Sequence, residues 1–585
     1  MRILGPLSLL VLMLLFGCNQ AAKPGEPALQ LEYRSVKTLN FSWSDVTGET
    51  SYQLKMSSSD SFDIGTVANI PANVSQYRLS PFLPAQLHKL YFLAACNTAG
   101  CSESNTIAIS PAKLATAVGY FKASNTDAGD TFGWQVAVSA DGSTLAVAAY
   151  LESGGATAIN GDQSDNSKSA SGAVYVFARQ EDGSWKQEAY IKASNSDVGD
   201  QFGLSLDLSD DGSVLAVGAP REDGDGASSN DNSKSDSGAA YVFVHDPSGW
   251  KQQAYLKASN ADTGDRFGSS VALSADGKGL AVGAAGEDGN GASESDNSKT
   301  DSGAVYVFAI DSNGAWSQQA YLKAPNADAN DAFGYTVDLS ATGTTLAVSA
   351  INESSSATGI NGDANNNNAS ESGAVYLFGW NGSTWQLQAY VKASNTNASD
   401  YFGYSLALTD DRLLVGAPWE DSMARGFDGD QFSNAATDSG AAYLFIKKGS
   451  GQWQQIEYIK ASESGSNDQF GSSVAISADG RLMAISARYE ASSATGFNGE
   501  QGDNQANFSG AVYTFYQDDD GNWTQQAYIK SPNSEAFDIF GNDLALSSDG
   551  STLIVGASGE DSNATGIGGD QNNNSASGSG AAYVF

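Results

Sequence analysis

The chain has 585 residues, which is too long for one ordinary hydrophobic core and predicts several domains or a repeat array. Its 64 glycines and 10% aromatic content favour short strands with tight turns over helices or disorder. The formal net charge of -37 repels phosphate backbones, so nucleic acid is excluded as a partner. Such acidity is typical of soluble exported proteins and of proteins that collect cations.

Residues 1–17 have the pattern of an export signal. Arg2 supplies a positive charge, and the apolar run at residues 4–16 is too short for a comfortable bilayer span. The run ends in LFGC, which resembles the lipobox of bacterial lipoproteins. That resemblance implies cleavage before Cys18 and acylation of Cys18, which together anchor the chain stably to a membrane. The alternative is a plain secretory signal with a chance cysteine.

The residue after the cysteine, Asn19, favours the outer membrane under the sorting rule of that lipoprotein family. We therefore expect a bacterial outer-membrane or cell-surface location. Residues 18–26 then form a short tether.

Two further cysteines, Cys96 and Cys101, lie close together in CNTAGC. In an exported protein this spacing favours a disulfide over a metal site. A structural zinc site would need further Cys or His ligands, and the sequence has only His88 and His245.

Residues 27–112 alternate apolar and polar residues in short runs such as LNFSWSDV and SYQLKM, which predicts an all-β sandwich. The order of cues resembles a fibronectin type III domain: Trp43 on an early strand, Tyr91 after a turn containing Leu-Pro, and a last hairpin in YFLAACNTAGCSES. The resemblance implies that Tyr91 ties a loop to the sheet and that Trp43 lies in the core. We interpret this domain as a spacer.

From residue 113 the chain repeats itself. The motif Asp-x-Phe-Gly recurs seven times, and successive copies lie 65 to 70 residues apart. Each copy precedes an alternating strand, a tight turn, a strand such as LAVGA, a long polar loop, and the segments SGAxYxF and WxQxxY(I/L/V)K. This order predicts four strands per repeat, which is the content of one propeller blade.

The last repeat ends at Phe585 without its fourth strand. An unmatched copy of that strand's end, AVGYFKAS, precedes the first repeat, with Tyr120 and Lys122 in register. The N-terminal strand can therefore complete the last blade and remove the free edges of an open array. The sequence predicts an all-β fold in which a seven-bladed β-propeller at 113–585 follows the small sandwich.

The repeats resemble the FG-GAP repeats of integrin α-subunit propellers and their bacterial relatives. Both halves of the motif are present in Phe202-Gly203 with GAP at 218–220, and in Phe402-Gly403 with GAP at 416–418. The resemblance implies a propeller on a cell-surface adhesion protein. Integrin-type blades often carry a calcium loop between their first two strands, whereas this chain has a tight turn there, SADGS at 139–143. The family's calcium residues therefore do not transfer.

Each repeat places one acid before the first strand and one after the second, at what we expect to be a single corner. Two neighbouring carboxylates repel each other unless a cation, a proton or hydrogen-bond donors compensate. One interpretation is a calcium cage completed by loop oxygens. The other is structural, with the Asp capping the Phe-Gly turn and the Glu accepting loop N–H groups. The pairs are Asp130 with Glu152, Asp200 with Glu222, Asp265 with Glu287, Asp331 with Glu353, Asp400 with Glu420, Asp468 with Glu490, and Asp538 with Glu560.

Residues that break the repeat are the better candidates for a single site. Just after the second strand the chain carries Tyr150, Arg221, Trp419, Arg488 and Tyr489, where other repeats have Ala, Gly, Asn or Ser. Aromatic and Arg side chains suit sugar rings or protein hot spots, and ordinary loop packing is the alternative. The sequence offers no Ser-His-Asp or Cys-His arrangement.

We therefore predict a lipid-anchored binding or adhesion protein for protein or glycan ligands, not an enzyme. A calcium-dependent polysaccharide lyase or hydrolase and a structural surface repeat protein are the alternatives.

Overall fold

A computed structural model describes residues 22–58, 64–226, 231–291 and 293–585, so the predicted signal segment and Cys18 lie outside the described residues. The chain divides into two units. One holds the residues up to Glu32, Leu39–Leu79 and His88–Ile109, and the other holds Tyr33–Thr38, Ser80–Leu87 and Ser110–Phe585. The division at Ile109 lies close to residue 112, the boundary expected from the sequence.

The N-terminal strands form two sheets. Their bounds are β1 Gln30–Arg34, β2 Thr38–Ser42, β3 Ser51–Ser58, β4 Ile64–Pro71, β5 Gln76–Leu79, β6 Lys89–Asn97, β7 Gly100–Glu103 and β8 Ile107–Ala108, with a 3-10 turn at Pro84–Gln86. One sheet has the order β1-β2-β5, and the other has the order β4-β3-β6-β7 with β8 paired to β6. Alternation produces this arrangement, since Tyr52 and Leu54 of β3 are buried and their strand neighbours are less so.

Trp43 is buried in this region and its ring lies 5.4 Å from that of Tyr52. Tyr91 is buried on β6. Cys96 and Cys101 lie directly opposite each other on β6 and β7 and are joined by a disulfide. A fibronectin type III identity for these sheets stays a prediction.

The remainder begins with a helical turn α1 at Pro111–Leu114, a 3-10 turn at Ala115–Ala117 and β9 at Gly119–Phe121. Seven sheets of four strands follow in the described residues, each in sequence order except the last, which includes β9. The first four sheets comprise β10 Val136–Val138, β11 Thr144–Ala149, β12 Ala173–Arg179, β13 Trp185–Ile191; β14 Ser205–Leu208, β15 Val214–Ala219, β16 Ala239–Asp246, β17 Gly249–Leu256; β18 Phe267–Leu273, β19 Gly279–Ala284, β20 Ala304–Ile310, β21 Trp316–Leu322; and β22 Phe333–Leu339, β23 Thr345–Ala350, β24 Ala374–Trp380, β25 Trp385–Val391.

The other three sheets comprise β26 Ser405–Leu408, β27 Arg412–Ala417, β28 Ala441–Lys447, β29 Trp453–Ile459; β30 Phe470–Ile476, β31 Leu482–Ala487, β32 Ala511–Gln517, β33 Trp523–Ile529; and β34 Phe540–Leu546, β35 Leu553–Ala557, β36 Ala581–Val584 with β9. We call these sheets the first to the seventh repeat. The prediction of an all-β fold with repeated four-stranded sheets is confirmed.

The first strands of all seven repeats line one cavity of about 710 Å³, which we call the central channel. Third strands are buried on both faces because neighbouring sheets cover them, as in β28, whose first five residues are all buried. Fourth strands alternate between exposed and buried residues, as β13 does. Sheets arranged in this way around a channel form a β-propeller.

The two ends of the propeller meet in one sheet. β9 pairs antiparallel with β36, with Tyr120 opposite Tyr583 and Phe121 opposite Ala582. The unmatched strand end noted in the sequence lies here, and it supplies the fourth strand of the seventh repeat.

The two glycine positions of the repeat allow neighbouring sheets to approach closely. A β-carbon on Gly416, at the end of β27, would lie 2.0 Å from the carbonyl oxygen of Gly471 in the next repeat. Gly471 itself has a φ of 91°, which only glycine adopts without strain. The Phe before it, Phe470, is fully buried. The Phe-Gly and Gly-Ala halves of the motif are therefore two sides of one contact between sheets.

Candidate binding site

The seven paired acids lie in a repeated hydrogen-bonded node, which is clearest at Glu420. Its carboxylate accepts from Lys460 Nζ at 2.8 Å, from Tyr458 Oη at 2.9 Å and from Asn395 Nδ2 at 2.8 Å. Lys460 also donates to Ser439 Oγ at 2.8 Å, and both charged side chains are fully buried. The lysine closes the WxQxxYIK segment and the serine opens the SGAxYxF segment, so the node joins strands two, three and four.

Every repeat contains this ion pair, with N–O distances of 2.7 to 2.9 Å. The pairs are Lys192–Glu152, Lys257–Glu222, Lys323–Glu287, Lys392–Glu353, Lys460–Glu420, Lys530–Glu490 and Lys122–Glu560. A lysine on the fourth strand thus compensates the glutamate of each predicted pair.

The aspartate of each pair caps the turn before Phe-Gly. Asp400 accepts the backbone N–H of Asn397 at 2.8 Å, and burial raises its pKa to about 8. The same acceptor geometry occurs at Asp130, Asp200, Asp265, Asp331, Asp468 and Asp538. Within the described ranges, no three or more His, Cys, Asp or Glu side chains form a group that could hold a metal ion. Calcium binding at these corners stays a prediction, and the ion would have to compete with a lysine.

Removing the cation from one node should strongly destabilise the fold. Lys460→Met leaves the Glu420 carboxylate buried without a counter-ion, and we expect the free energy of unfolding to fall by about 3–5 kcal/mol in denaturant unfolding. The double variant Lys460→Met/Glu420→Gln should recover part of this loss because no buried charge remains.

The matched control is Lys251→Met, because the ion pair of Lys251 with Asp246 lies on the surface. We expect this variant to leave the free energy of unfolding almost unchanged. Equal effects of Lys251→Met and Lys460→Met would contradict a structural role for the node.

The repeat-breaking residues gather at the mouth of the central channel, on the side of the long loops. The guanidinium of Arg488 lies 4.9 Å from the ring centre of Tyr489, 5.8 Å from that of Trp419 and 5.3 Å from that of Tyr404. It also donates to the Tyr404 hydroxyl and to Gln469 Oε1, both at 2.9 Å. Two neighbouring repeats therefore build one cluster of aromatic rings around a cation.

The aromatic cluster extends along the mouth. The Trp419 ring lies 4.9 Å from that of Tyr401 and 5.1 Å from that of Tyr404, and Tyr404 lies 5.6 Å from Tyr335 of the preceding repeat. Burial raises the pKa of Tyr335 well above its usual value, so its hydroxyl is neutral at physiological pH.

The other two predicted residues lie elsewhere on the same mouth. The Tyr150 ring packs 4.5 Å from that of Trp134, and Trp134 lines the central channel. Burial raises the pKa of Tyr150, and the nearby guanidinium of Arg221 partly offsets this. Arg221 lines the channel and is exposed, as is Arg266 of the next repeat. Of the five predicted residues, Arg221 and Arg488 line the channel, and the other three, Tyr150, Trp419 and Tyr489, each pack against a residue that lines it.

Sequence reasoning missed the residues that come from the start of the first strand. Trp134, Tyr335 and Tyr404 occupy the position after Phe-Gly, where other repeats carry Leu, Ser or Asn. Arg266 takes the variable position inside Asp-x-Phe-Gly. Aligning the seven repeats at these two positions reveals them, just as it reveals the residues at the end of the second strand.

Three acids line the channel away from this aromatic rim, and each joins two repeats. Asp338 accepts the N–H of Leu408 at 2.6 Å, and Asp207 accepts that of Leu273 at 2.6 Å. Asp543 accepts the N–H of Val136 at 2.9 Å. Burial raises the pKa of Asp338 to about 8, and those of Asp207 and Asp543 to about 6.

These shifts predict that the propeller becomes less stable as the pH rises. Buried aspartates with raised pKa values bind more protons in the folded chain than in the unfolded chain between their ordinary pKa and about 8. The free energy of unfolding therefore falls through that window as the pH increases. We expect the thermal midpoint of unfolding to be lower at about pH 8.5 than at about pH 5.5.

The variant Asp338→Asn should show a smaller difference between these two midpoints, because its amide does not titrate. An equal or higher midpoint at the alkaline condition would contradict the raised pKa values.

The FG-GAP repeat family model matches residues 185–243, 250–308, 316–378, 385–445, 453–515 and 523–585. The chain belongs to the FG-GAP repeat family. Each matched segment runs from the fourth strand of one sheet to the third strand of the next, so it spans the Phe-Gly contact between sheets.

This FG-GAP repeat protein is also similar to two solved structures. The crystal structure of RRP9 WD40 repeats gives a TM-score of 0.39 at 11% identity and covers 80% of this chain and 96% of that chain. A structure of titin kinase and its flanking domains gives a TM-score of 0.13 at 12% identity, with 27% and 30% covered. Likeness at this level carries no functional argument. No curated protein matches the chain significantly.

Proposed function

We propose that this FG-GAP repeat protein is a lipid-anchored cell-surface binding protein, and that its seven-bladed propeller holds a ligand at the loop-side mouth of the central channel. The observation that carries the proposal is the convergence at Arg488, which contacts Tyr404, Trp419 and Tyr489 from two repeats. Aromatic and Arg side chains next to a cavity of about 710 Å³ fit the size and composition of ligand sites.

The hydrogen bonding of the channel acids favours binding over catalysis. Asp338 accepts the N–H of Leu339 as well as that of Leu408, and Asp207 accepts those of Leu208 and Leu273. Both oxygens of each carboxylate therefore already hold the main chain. A general acid or base needs an oxygen that can reach the substrate's proton.

We further propose that Cys18 carries the lipid anchor and that the N-terminal sheets act as a spacer between the membrane and the propeller. The LFGC sequence supports the anchor. No helix in the described part of the chain has the length and apolar character needed to cross a bilayer.

Substitutions at the mouth should weaken ligand binding without unfolding the propeller. We expect Trp419→Ala and Arg488→Ala each to weaken binding at least about tenfold, as hot-spot truncations do. The measurement is binding of the full mature chain to an array of surface glycans and to purified extracellular proteins, with thermal midpoints confirming folding.

The matched control is Tyr516→Ala. Tyr516 is 40% exposed and lies at the opposite end of the third strand in the sixth repeat. Ligands retained by all three variants would count against the mouth as the site. Breakdown of an array glycan by the wild-type protein would favour the lyase or hydrolase alternative.

The anchor has its own test. Cys18→Ser should move the expressed protein from the detergent phase to the aqueous phase in Triton X-114 partitioning, because one or more acyl chains are lost. Mass spectrometry of the N-terminal peptide checks acylation directly. Unchanged partitioning would show that Cys18 is not the anchor.

A further inference from the structure

A row of aromatic rings leads from the channel mouth across the loop face of the sixth and seventh repeats. The Tyr489 ring, which contacts Arg488, lies 4.7 Å from that of Phe508, and Phe508 lies 5.6 Å from Phe537. Phe508 is 38% exposed and Phe537 is 59% exposed. We call Trp419, Arg488, Tyr489, Phe508 and Phe537 the aromatic track.

The outer two rings occupy positions where the repeat does not place aromatic residues. Phe508 precedes the Ser-Gly of the sixth repeat, where four other repeats carry an acid. These equivalents are Asp236, Asp301, Glu371 and Asp438. A buried role does not explain the change, because the ring remains partly in solvent.

Phe537 has a left-handed backbone with a φ of 73°, as Phe508 has with a φ of 57°. Three of the equivalent residues are Gly129, Gly199 and Gly264, which adopt this conformation without strain. The backbone is left-handed here in every repeat, so what sets Phe537 apart is a large exposed ring where the other repeats carry Gly, Asn or Ser. An exposed Phe that extends a row of stacked rings therefore suits a binding surface.

Cations lie across the mouth from the track. Arg221 and Arg266 are exposed and line the central channel. Among the described residues, neither forms a salt bridge, in contrast to Arg425 and Arg481, whose guanidinium groups pair with Glu463 and Asp519. In a chain with a net charge of -37, unpaired arginines at one opening form a local site for an anion.

Below the rim, the channel wall carries hydroxyl groups and aspartates among apolar residues. The second position after Phe-Gly supplies Ser205, Ser270, Thr336, Ser405 and Ser473 to the channel wall. Asp207 and Asp338 lie two residues further along their strands. The hydroxyl groups of this wall suit a hydroxylated ligand.

We propose that the aromatic track and the two free arginines bind an acidic polysaccharide, with sugar rings stacked on the track and carboxylate groups on Arg221 and Arg266. This inference rests on the proposed function and names its ligand class. Stacking on aromatic faces discriminates little between different sugars. The arginines, in contrast, select a negatively charged chain over a neutral one.

The test compares a galacturonate oligosaccharide with a neutral galactose oligosaccharide of the same length, by calorimetry on the full mature chain. We expect the acidic chain to bind at least about tenfold more tightly and to weaken as salt is raised. Arg221→Gln/Arg266→Gln should remove that preference, leaving the two oligosaccharides within about twofold of each other.

Phe537→Gly restores the residue type of the first three repeats and removes the outer ring. We expect weaker binding of long oligosaccharides and unchanged binding of a disaccharide, together with an unchanged or higher thermal midpoint because strain is relieved. Arg481→Gln, on the short-turn side, is the control and should bind like wild type.

The outcomes separate this inference from the proposed function. Equal affinity for the acidic and neutral chains, or binding that is insensitive to Arg221→Gln/Arg266→Gln, would overturn the acidic-polysaccharide assignment. If the mouth variant Trp419→Ala still abolished binding of a purified protein from the earlier panel, the proposed function would stand with a protein ligand. If neither Trp419→Ala nor Arg488→Ala weakened the binding of any ligand, both the acidic-polysaccharide inference and the proposed function would fail.

Discussion

The buried lysine–glutamate pair is the interaction on which the rest of the propeller depends. At Glu420 it ties the end of the second strand to a lysine on the fourth and, through Ser439, to the start of the third. A charged pair this deeply buried tolerates little displacement, because loss of either partner leaves an uncompensated charge. Trp419 directly precedes Glu420, and Tyr489 directly precedes Glu490. The same node that closes each sheet therefore sets the direction of the rim side chains.

A second set of hydrogen bonds joins the sheets around the channel. Asp207, Asp338 and Asp543 reach from one first strand to the main chain of a neighbouring repeat. Where the acid is absent, a hydroxyl can take its place, as Ser270 does by accepting the N–H of Val337 at 3.0 Å. The residues of the channel wall thus form hydrogen bonds between neighbouring repeats. The side chains at the mouth do not carry these bonds, so their identity can vary from repeat to repeat.

Amino-acid differences among the seven repeats are concentrated at a few equivalent positions. Positions that form the node, the Phe-Gly contact and the turn caps barely vary, because each is buried against a neighbouring strand or sheet. The end of the second strand and the start of the first strand face the opening, so their side chains change without disturbing the packing. Arg488 with its aromatic neighbours is the product of such changes in two adjacent repeats. A rigid repeated scaffold with a variable rim is a general way to build a binding surface.

The sequence by itself determined the strand content, the repeat and the residues that break it. Strand alternation and the recurring Asp-x-Phe-Gly are local patterns, so they predict four strands per repeat without knowledge of distant contacts. The five rim candidates stand out when equivalent positions of the repeats are compared, which needs only an internal alignment.

The tertiary structure alone decided which side chains are in contact. Lys460 lies 40 residues from Glu420 in the chain, so their pairing is invisible to local pattern. Two partners of Arg488, Tyr404 and Trp419, come from the neighbouring repeat, and Tyr404 lies 84 residues away in the chain. Such contacts depend on how the sheets pack around the channel. No local sequence pattern specifies which residues of different strands or repeats are brought together.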